Sequence, residues 1–297
     1  MRRRSQSTRI KRHVSVTSPM QREPQLNPIG WVVFLAVGLL GLAFGSFANV
    51  VIWRFPRGES LSHPGSHCPK CETPIAWYDN LPVLGWIILR GRCRSCGNGI
   101  SARYPVVEAL TAVLWLVALL VYGPTVRAIF AAGLFYLLMI LSYIDFDTMR
   151  LPNALVAILA VLGVIGLGAA MLSGHAVVPL VDGSGRLANP LLFAALGVAL
   201  GGLVPLAISI IYQLVRGSVG LGMGDVKLLA AIGIFLGPYV LLALFLGSVV
   251  GAVTSLATMG ASSGLNKKIP FGPFLAVGAV VAALGGERVV AWYLSIL

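Results

Sequence analysis

The sequence predicts an all-α polytopic membrane protein with about eight transmembrane helices and one small polar insert after the first helix. The chain of 297 residues is 57% apolar and only 11% charged, less than half the charged fraction of roughly 25% that soluble domains carry. Uncharged apolar runs recur along it, for example at 31–51, 191–214 and 240–262. Each is long enough to cross a hydrocarbon core of about 30 Å. No cleaved signal peptide is expected, because the first apolar run is too long for one.

Apolar runs and their breaks place the individual helices. The expected helices cover about 29–53, 105–122, 126–144, 153–173, 190–214, 225–237, 239–260 and 271–296. A hydrophilic insert at 54–104 follows the first helix. Residues 1–28 are basic and polar, which is typical of a disordered tail, and 174–189 form the other sizeable loop. The short helix before Gly237-Pro238 has the least certain boundary.

Positive charge predicts the orientation of these helices. Lys and Arg outnumber Asp and Glu by 22 to 10, and they lie between the apolar runs, where basic residues orient membrane proteins. With the insert on the cytoplasmic side of the cell membrane and eight alternating helices, cytoplasmic gaps hold twelve basic residues and the opposite gaps three. The basic tail conflicts with this count; a translocated tail, a downstream start or a first helix that does not cross would each account for it. Nucleic acid is not an expected partner, since the basic residues do not alternate with aromatic ones.

All four cysteines lie in the insert, as two C-x-x-C pairs separated by 21 residues. Each pair forms a knuckle that can aim two sulfurs at one ion, so two knuckles supply the four thiolates of a tetrahedral zinc site. A full set of four ligands predicts a structural metal. Two disulfides would need an oxidising compartment, and a thioredoxin-like redox pair lacks its βαβ context. The predicted zinc ligands are Cys68, Cys71, Cys93 and Cys96.

Two aspartates at membrane boundaries are the main candidates for chemistry. Asp145 ends an apolar run, and Asp225 follows a glycine-rich stretch and opens the next helix. Ionisable groups at membrane depth are functional candidates by default. Two carboxylates from different helices can hold a water between them, one acting as base and the other as acid. Helix capping, close helix packing and ion or proton transport are the competing readings, and the residues alone leave catalysis and transport open.

Several motifs resemble one family. Gly222-Met223-Gly224-Asp225 resembles the GxGD signature of intramembrane aspartyl proteases, and Asp145, seven residues before Pro152, resembles the first catalytic aspartate of the type IV prepilin peptidases. The resemblance covers roughly residues 35–280. The other similar stretches, in family order, are 45–51, the two C-x-x-C pairs, 77–83, 103–108 and 270–274.

This resemblance implies a membrane endopeptidase that removes the basic leader of type IV prepilins and pseudopilins, just after a glycine, at the cytoplasmic face. It implies Asp145 and Asp225 as the catalytic pair, a peptidase domain at 105–297 with its catalytic core at about 126–260, and the four cysteines as zinc ligands. Many members then N-methylate the new terminal residue with S-adenosylmethionine. No glycine-rich fingerprint for that cofactor is present, so methylation is implied by the resemblance alone.

Some assignments remain open at the level of sequence. Asp147 is the local rival to Asp145, although it lies past the expected helix end. Arg103 and Glu108 form either a plain ion pair or, with Asp79 and the neighbouring aromatic residues, the frame of a methylation site. A proton- or ion-coupled transporter and a zinc-stapled, non-catalytic scaffold of a pilus or secretion complex are the alternative functions. The substrate pilin and the oligomeric state are not specified.

Overall fold

The computed structural model describes residues 28–173, 177, 189–217, 220–259 and 269–296. Within these ranges the chain is helical except for short connections and most of the insert, which is turns and loops at 58–83 and 89–102. The apolar runs predicted every long helix. The predicted tail and most of the 174–189 loop lie outside the described residues. The helices are α1 (Pro28–Arg54), α2 (Leu84–Ile88), α3 (Arg103–Tyr122), α4 (Val126–Thr148), α5 (Asn153–Ser173), α6 (Pro190–Arg216), α7 (Met223–Leu236), α8 (Val240–Met259) and α9 (Gly272–Ile296).

Seven stretches of the described chain are long and apolar enough to cross a membrane. The protein is therefore an all-helical, multi-pass membrane protein. The predicted sixth and seventh helices lie in one apolar stretch of 35 residues, Met223–Ala257, which a 3-10 turn at Gly237–Tyr239 divides. α7 has only 14 residues and rises about 21 Å, so it is too short to cross a core of about 30 Å by itself.

α1 and α3 pack along a row of small residues. A Cβ atom added at Gly41 would lie 2.6 Å from the Cα of Ala112, and one at Gly45 would lie 2.5 Å from the Cα of Glu108. The two backbones can approach this closely because neither glycine has a side chain, the usual basis of helix association in membranes. The 45–51 motif therefore serves first as a packing surface for α3.

α4 and α7 are the innermost helices. α4 packs against α1, α3, α5 and α9, and α7 packs against α5, α6 and α9. The largest fully buried side chains lie mostly on these two helices: Leu134, Phe135, Leu138, Ile140, Leu141, Ile144, Leu228, Leu229, Ile232 and Phe235. These two helices carry the candidate aspartates. Asp145 lies in the last turn of α4, and Asp225 lies in the first turn of α7.

Candidate active site and metal centre

Asp145 lies in the last turn of α4 and is buried, with 6% of its surface exposed. α4 ends at Met149, whose left-handed backbone lets its N–H bond to the Asp145 carbonyl at 2.8 Å. The Asp145 carboxylate accepts a buried hydrogen bond of 2.9 Å from the backbone N–H of Gly272, the first residue of α9. The orientation of this carboxylate is therefore set by a helix N-terminus 127 residues further along the chain.

Asp225 is the third residue of α7, after the N-cap Gly222. Its carboxylate folds back toward Gly222, so close that a Cβ there would lie 3.2 Å from Oδ2, which is where the acidic residue of a capping box lies. It also lies at the positive end of the helix dipole, which stabilises a carboxylate. Asp225 therefore stabilises the N-terminus of α7, as the capping interpretation predicts. This role does not exclude a catalytic one, because a carboxylate has further lone pairs.

The structure brings the two aspartates together. Asp225 is close enough to Asp145 for their charges to interact. The first turn of α7 also packs against the loop that follows α4, since a Cβ at Gly224 would lie 3.2 Å from the Cβ of Leu151. Gly224, the second glycine of the GxGD motif, therefore lets the start of α7 approach the α4–α5 loop. Neighbouring carboxylates from two helices are the groups that aspartyl proteases use to bind a water and share a proton.

Asp147 has a different environment. Its carboxylate forms a two-pronged ion pair with Arg103 at the start of α3, with N–O distances of 2.7 and 2.9 Å. The guanidinium also lies over the ring of Tyr143, with its central carbon 4.9 Å from the centroid. The expected pair between Arg103 and Glu108 is therefore not the one that forms. Asp147 is held by a cation at the surface, which distinguishes it from Asp145.

The four cysteines converge on one point. All four Sγ atoms lie within 4.8 Å of one another, and two of the pairs, Cys68 with Cys96 and Cys71 with Cys93, are 3.8 and 3.9 Å apart. Four sulfurs placed tetrahedrally at about 2.3 Å from a zinc ion would be about 3.8 Å apart. These distances are far longer than a disulfide bond of about 2.05 Å, and all four cysteines are free thiols. The cluster can hold a metal ion.

The two knuckles share one backbone design. In each, the first cysteine accepts at its carbonyl the N–H of the residue after the second cysteine, Glu72 or Gly97, at 2.9 Å. Both of these residues have left-handed φ values, 56° and 69°, which lets the chain reverse around the metal position. Hydrogen bonds with Thr73 lower the pKa of the Cys71 thiol to about 6. That favours the thiolate, the form that binds metals.

The two acidic residues considered for methylation both have partners. Asp79 forms an ion pair with Arg94 of the second knuckle, with N–O distances of 2.5 and 2.7 Å, and these hydrogen bonds hold the pKa of its carboxyl below the ordinary value. Glu108 is buried and accepts the backbone N–H of Val83 at 2.7 Å. Both contacts fasten the segment between the knuckles, so each carboxylate has a structural role.

One residue of the site was not found from the sequence. Gly272 lies in the 270–274 motif, but nothing in that motif shows that its N–H reaches Asp145. A Cβ at this position would lie 2.7 Å from the Asp145 carboxylate oxygen. Only a residue without a side chain leaves that carboxylate in place, which gives the glycine of the motif a specific function.

Comparison with known proteins accounts for most of the chain. Residues 39–122 match the family model of the bacterial peptidase A24 N-terminal domain, and residues 132–256 match that of the type IV leader peptidase family. The first match contains the four cysteines and the second contains both aspartates. No solved structure matches the chain.

Curated relatives extend the match to nearly full length. A prepilin leader peptidase/N-methyltransferase of Aeromonas salmonicida is 37% identical over 292 residues, covering 89% of this chain and 95% of the relative. A protein of the same name from Legionella pneumophila is 33% identical, covering 89% and 96%, and one from Klebsiella pneumoniae is 40% identical, covering 71% and 87%. Because two family models match side by side and relatives at least 33% identical cover most of both chains, the chain belongs to the type IV leader peptidase family.

Proposed function

We propose that this protein is an endopeptidase of the inner membrane that removes the leader of type IV prepilins or pseudopilins. Asp145 and Asp225 are the catalytic residues in this proposal. The observation that carries it is the convergence of these two aspartates at adjoining ends of the two innermost helices. The names of the relatives support the substrate class and do not favour a transporter or a non-catalytic scaffold.

In the proposed mechanism one carboxylate takes a proton from a water held between the pair, and that water attacks the scissile carbonyl. The other carboxylate carries the proton that passes to the oxygen of the carbonyl and then to the leaving amine. The backbone N–H of Gly272 holds the Asp145 carboxylate in place, and the Asp225 carboxylate packs against Gly222 at the N-terminus of α7. Because positioning carries much of the rate in such reactions, these two contacts are part of the proposed machinery.

The proposed active site lies on the cytoplasmic face, because a basic leader stays in the cytoplasm while the apolar segment after it enters the bilayer. The excess of basic residues in the gaps of that side supports this orientation. The domain division proposed with it is a first membrane helix at 29–53, an insert at 54–104 and a peptidase domain at 105–297. The metal of the insert is proposed to be zinc, since four thiolates are a typical structural zinc shell.

N-methylation of the new terminal residue is proposed as a second activity. Support comes from the names of the relatives, which pair the peptidase with an N-methyltransferase. S-adenosylmethionine would be the methyl donor. The residues that bind it are not assigned, since Asp79 and Glu108 both have structural partners.

The test is cleavage of a purified prepilin by the purified protein. Asp145→Asn and Asp225→Asn are each expected to abolish cleavage, because a neutral amide neither takes nor gives the proton. Asp147→Asn is the matched control on the same helix and is expected to lower the rate by no more than about fivefold, because it removes only a partly exposed ion pair. Metal content and thermal unfolding in detergent report that each variant folds. If Asp147→Asn lost cleavage and Asp145→Asn kept it, the catalytic partner of Asp225 would be Asp147 and the proposed assignment of Asp145 would be wrong.

A further inference from the structure

The segment between the two cysteine knuckles exposes large apolar side chains on an otherwise polar insert. They fall within twelve consecutive residues, and Trp77 and Ile88 are the most exposed, at 78% and 65%. Elsewhere between 55 and 102, all of which the structure describes, only Leu61 and Ile75 are exposed large apolar side chains, at 37% and 36%. The members of this apolar face are Trp77, Tyr78, Leu81, Leu84, Ile87 and Ile88.

The apolar face is built into the fold of the insert. On its inner side, α2 packs so closely that a Cβ at Gly85 would lie 2.1 Å from the Asp79 carbonyl oxygen. The indole N–H of Trp86, next to Gly85, bonds to the Ile100 carbonyl at 3.0 Å. The apolar residues of α2, at helical spacings of three and four residues, share the opposite side. This side of α2 therefore points away from the insert and needs something else to cover it.

The depth of α2 identifies what covers it. Glu108, which holds the Val83 N–H just before α2, lies five residues into α3, or about 7.5 Å along its axis from Arg103. It packs against Gly45, and the nine residues from Gly45 to Arg54 at the end of α1 rise about 13 Å. Both α1 and α3 are membrane-spanning helices. α2 thus begins beside positions of α1 and α3 that fall inside their membrane-spanning stretches and not at the ends of those stretches.

We infer that α2 and the Trp77–Tyr78 pair insert into the bilayer interface, so that the apolar face of the insert is covered by phospholipid. The start of α2 is fastened to α3 through the bond from the Val83 N–H to Glu108, so this face begins beside a membrane-spanning helix. Trp and Tyr are the residues that membrane interfaces favour, and these two rings pack edge to face at 5.7 Å. Arg90 and Arg92, exposed just after α2, suit anionic head groups. The insert is an in-plane anchor as well as a metal-bound domain.

Site-specific photocrosslinking tests the occupant directly. The full-length protein carries p-benzoyl-phenylalanine at position 87 and is placed in nanodiscs of phosphatidylethanolamine and phosphatidylglycerol. Irradiation is expected to give phospholipid adducts that mass spectrometry detects. The same photoreactive residue at position 95, exposed within the second knuckle, is the matched control and is expected to give few or none. Metal content equal to that of the unmodified protein shows that the insert is intact.

Two outcomes would overturn the inference. One is that position 87 gives no more lipid adduct than position 95. The other is that its adducts are with protein alone, either a second copy of this chain or an added prepilin. An independent measurement uses tryptophan fluorescence. The contribution of Trp77 is the difference in emission between the unaltered protein and Trp77→Phe, and brominated phospholipids are expected to quench it. A Trp77 contribution that brominated lipid leaves unchanged would contradict the inference. Neither measurement uses cleavage, so both are separate from a test of the proposed peptidase.

Discussion

At the scale of single residues, each proposed catalytic carboxylate contacts a glycine at a helix N-terminus. The Gly272 N–H donates to Asp145, and the Asp225 carboxylate packs against Gly222. A backbone donor is more rigid than a side chain, so it can hold a carboxylate at a fixed angle while leaving its other lone pairs for water. The absence of a side chain at Gly272 is as important as its N–H, because a Cβ would touch the carboxylate.

Gly272→Ala is therefore expected to lower the rate of prepilin cleavage by about 10- to 100-fold, the scale on which displacements near 1 Å act. The new methyl group pushes the end of the Asp145 side chain, while the helix itself gains a better helix former. Gly285→Ala is the matched control in the same helix, since a Cβ there meets nothing within 4 Å. Equal rates for the two variants, measured on protein with unchanged thermal unfolding, would contradict this function of Gly272.

At the scale of elements, the insert depends on few apolar contacts of its own and on several polar ones. The two knuckles converge at their sulfurs, Arg94 of the second knuckle holds Asp79, and Glu108 of α3 holds Val83. A metal bound there would supply much of the folding free energy of so small a polar unit. It would also support the segment that carries α2 and its apolar face.

The purified protein is expected to contain one zinc ion per chain, measured by elemental analysis. Cys71→Ser removes a ligand and is expected to lower metal affinity by more than the roughly 10- to 100-fold that loss of an outer-shell contact costs. Ser95→Ala, in the second knuckle but outside the ligand set, is expected to keep the metal. Full zinc content in Cys71→Ser, or iron in place of zinc, would refute the proposed centre.

Which elements could be predicted follows from the range of the forces that form them. Long helices follow from uninterrupted apolar runs, and the aspartates and cysteines stand in short local motifs. α2 was not predicted because five residues carry no periodicity. The bond between Gly272 and Asp145 and the pair between Arg103 and Asp147 were also missed, since each joins positions far apart in sequence. Such contacts depend on how helices pack, which composition and spacing do not encode.

At the scale of the whole molecule, the two regions that match separate family models are joined at the proposed active site. Arg103 belongs to the first region and Asp147 to the second, and their two-pronged ion pair lies two residues from Asp145. The two regions also pack through the membrane, where the Tyr136 hydroxyl donates to the Phe44 carbonyl at 3.1 Å. The pair thus tethers the end of α4 to the helix that follows the insert.

Because both members of the pair are about one-third exposed, it contributes at most about 1 kcal/mol. Arg103→Gln and Asp147→Asn are each expected to slow cleavage by no more than about fivefold, the factor that corresponds to 1 kcal/mol. The double variant is expected to be no slower than either single one, since each removes the same contact. Arg103→Lys keeps the positive charge but loses the planar guanidinium. Its cleavage rate should therefore lie between the rates of the unaltered protein and of Arg103→Gln. If the fold-decrease in rate of the double variant equalled the product of the two single decreases, the two residues would act separately. A decrease of a hundredfold or more in Asp147→Asn alone would make Asp147 part of the catalytic machinery.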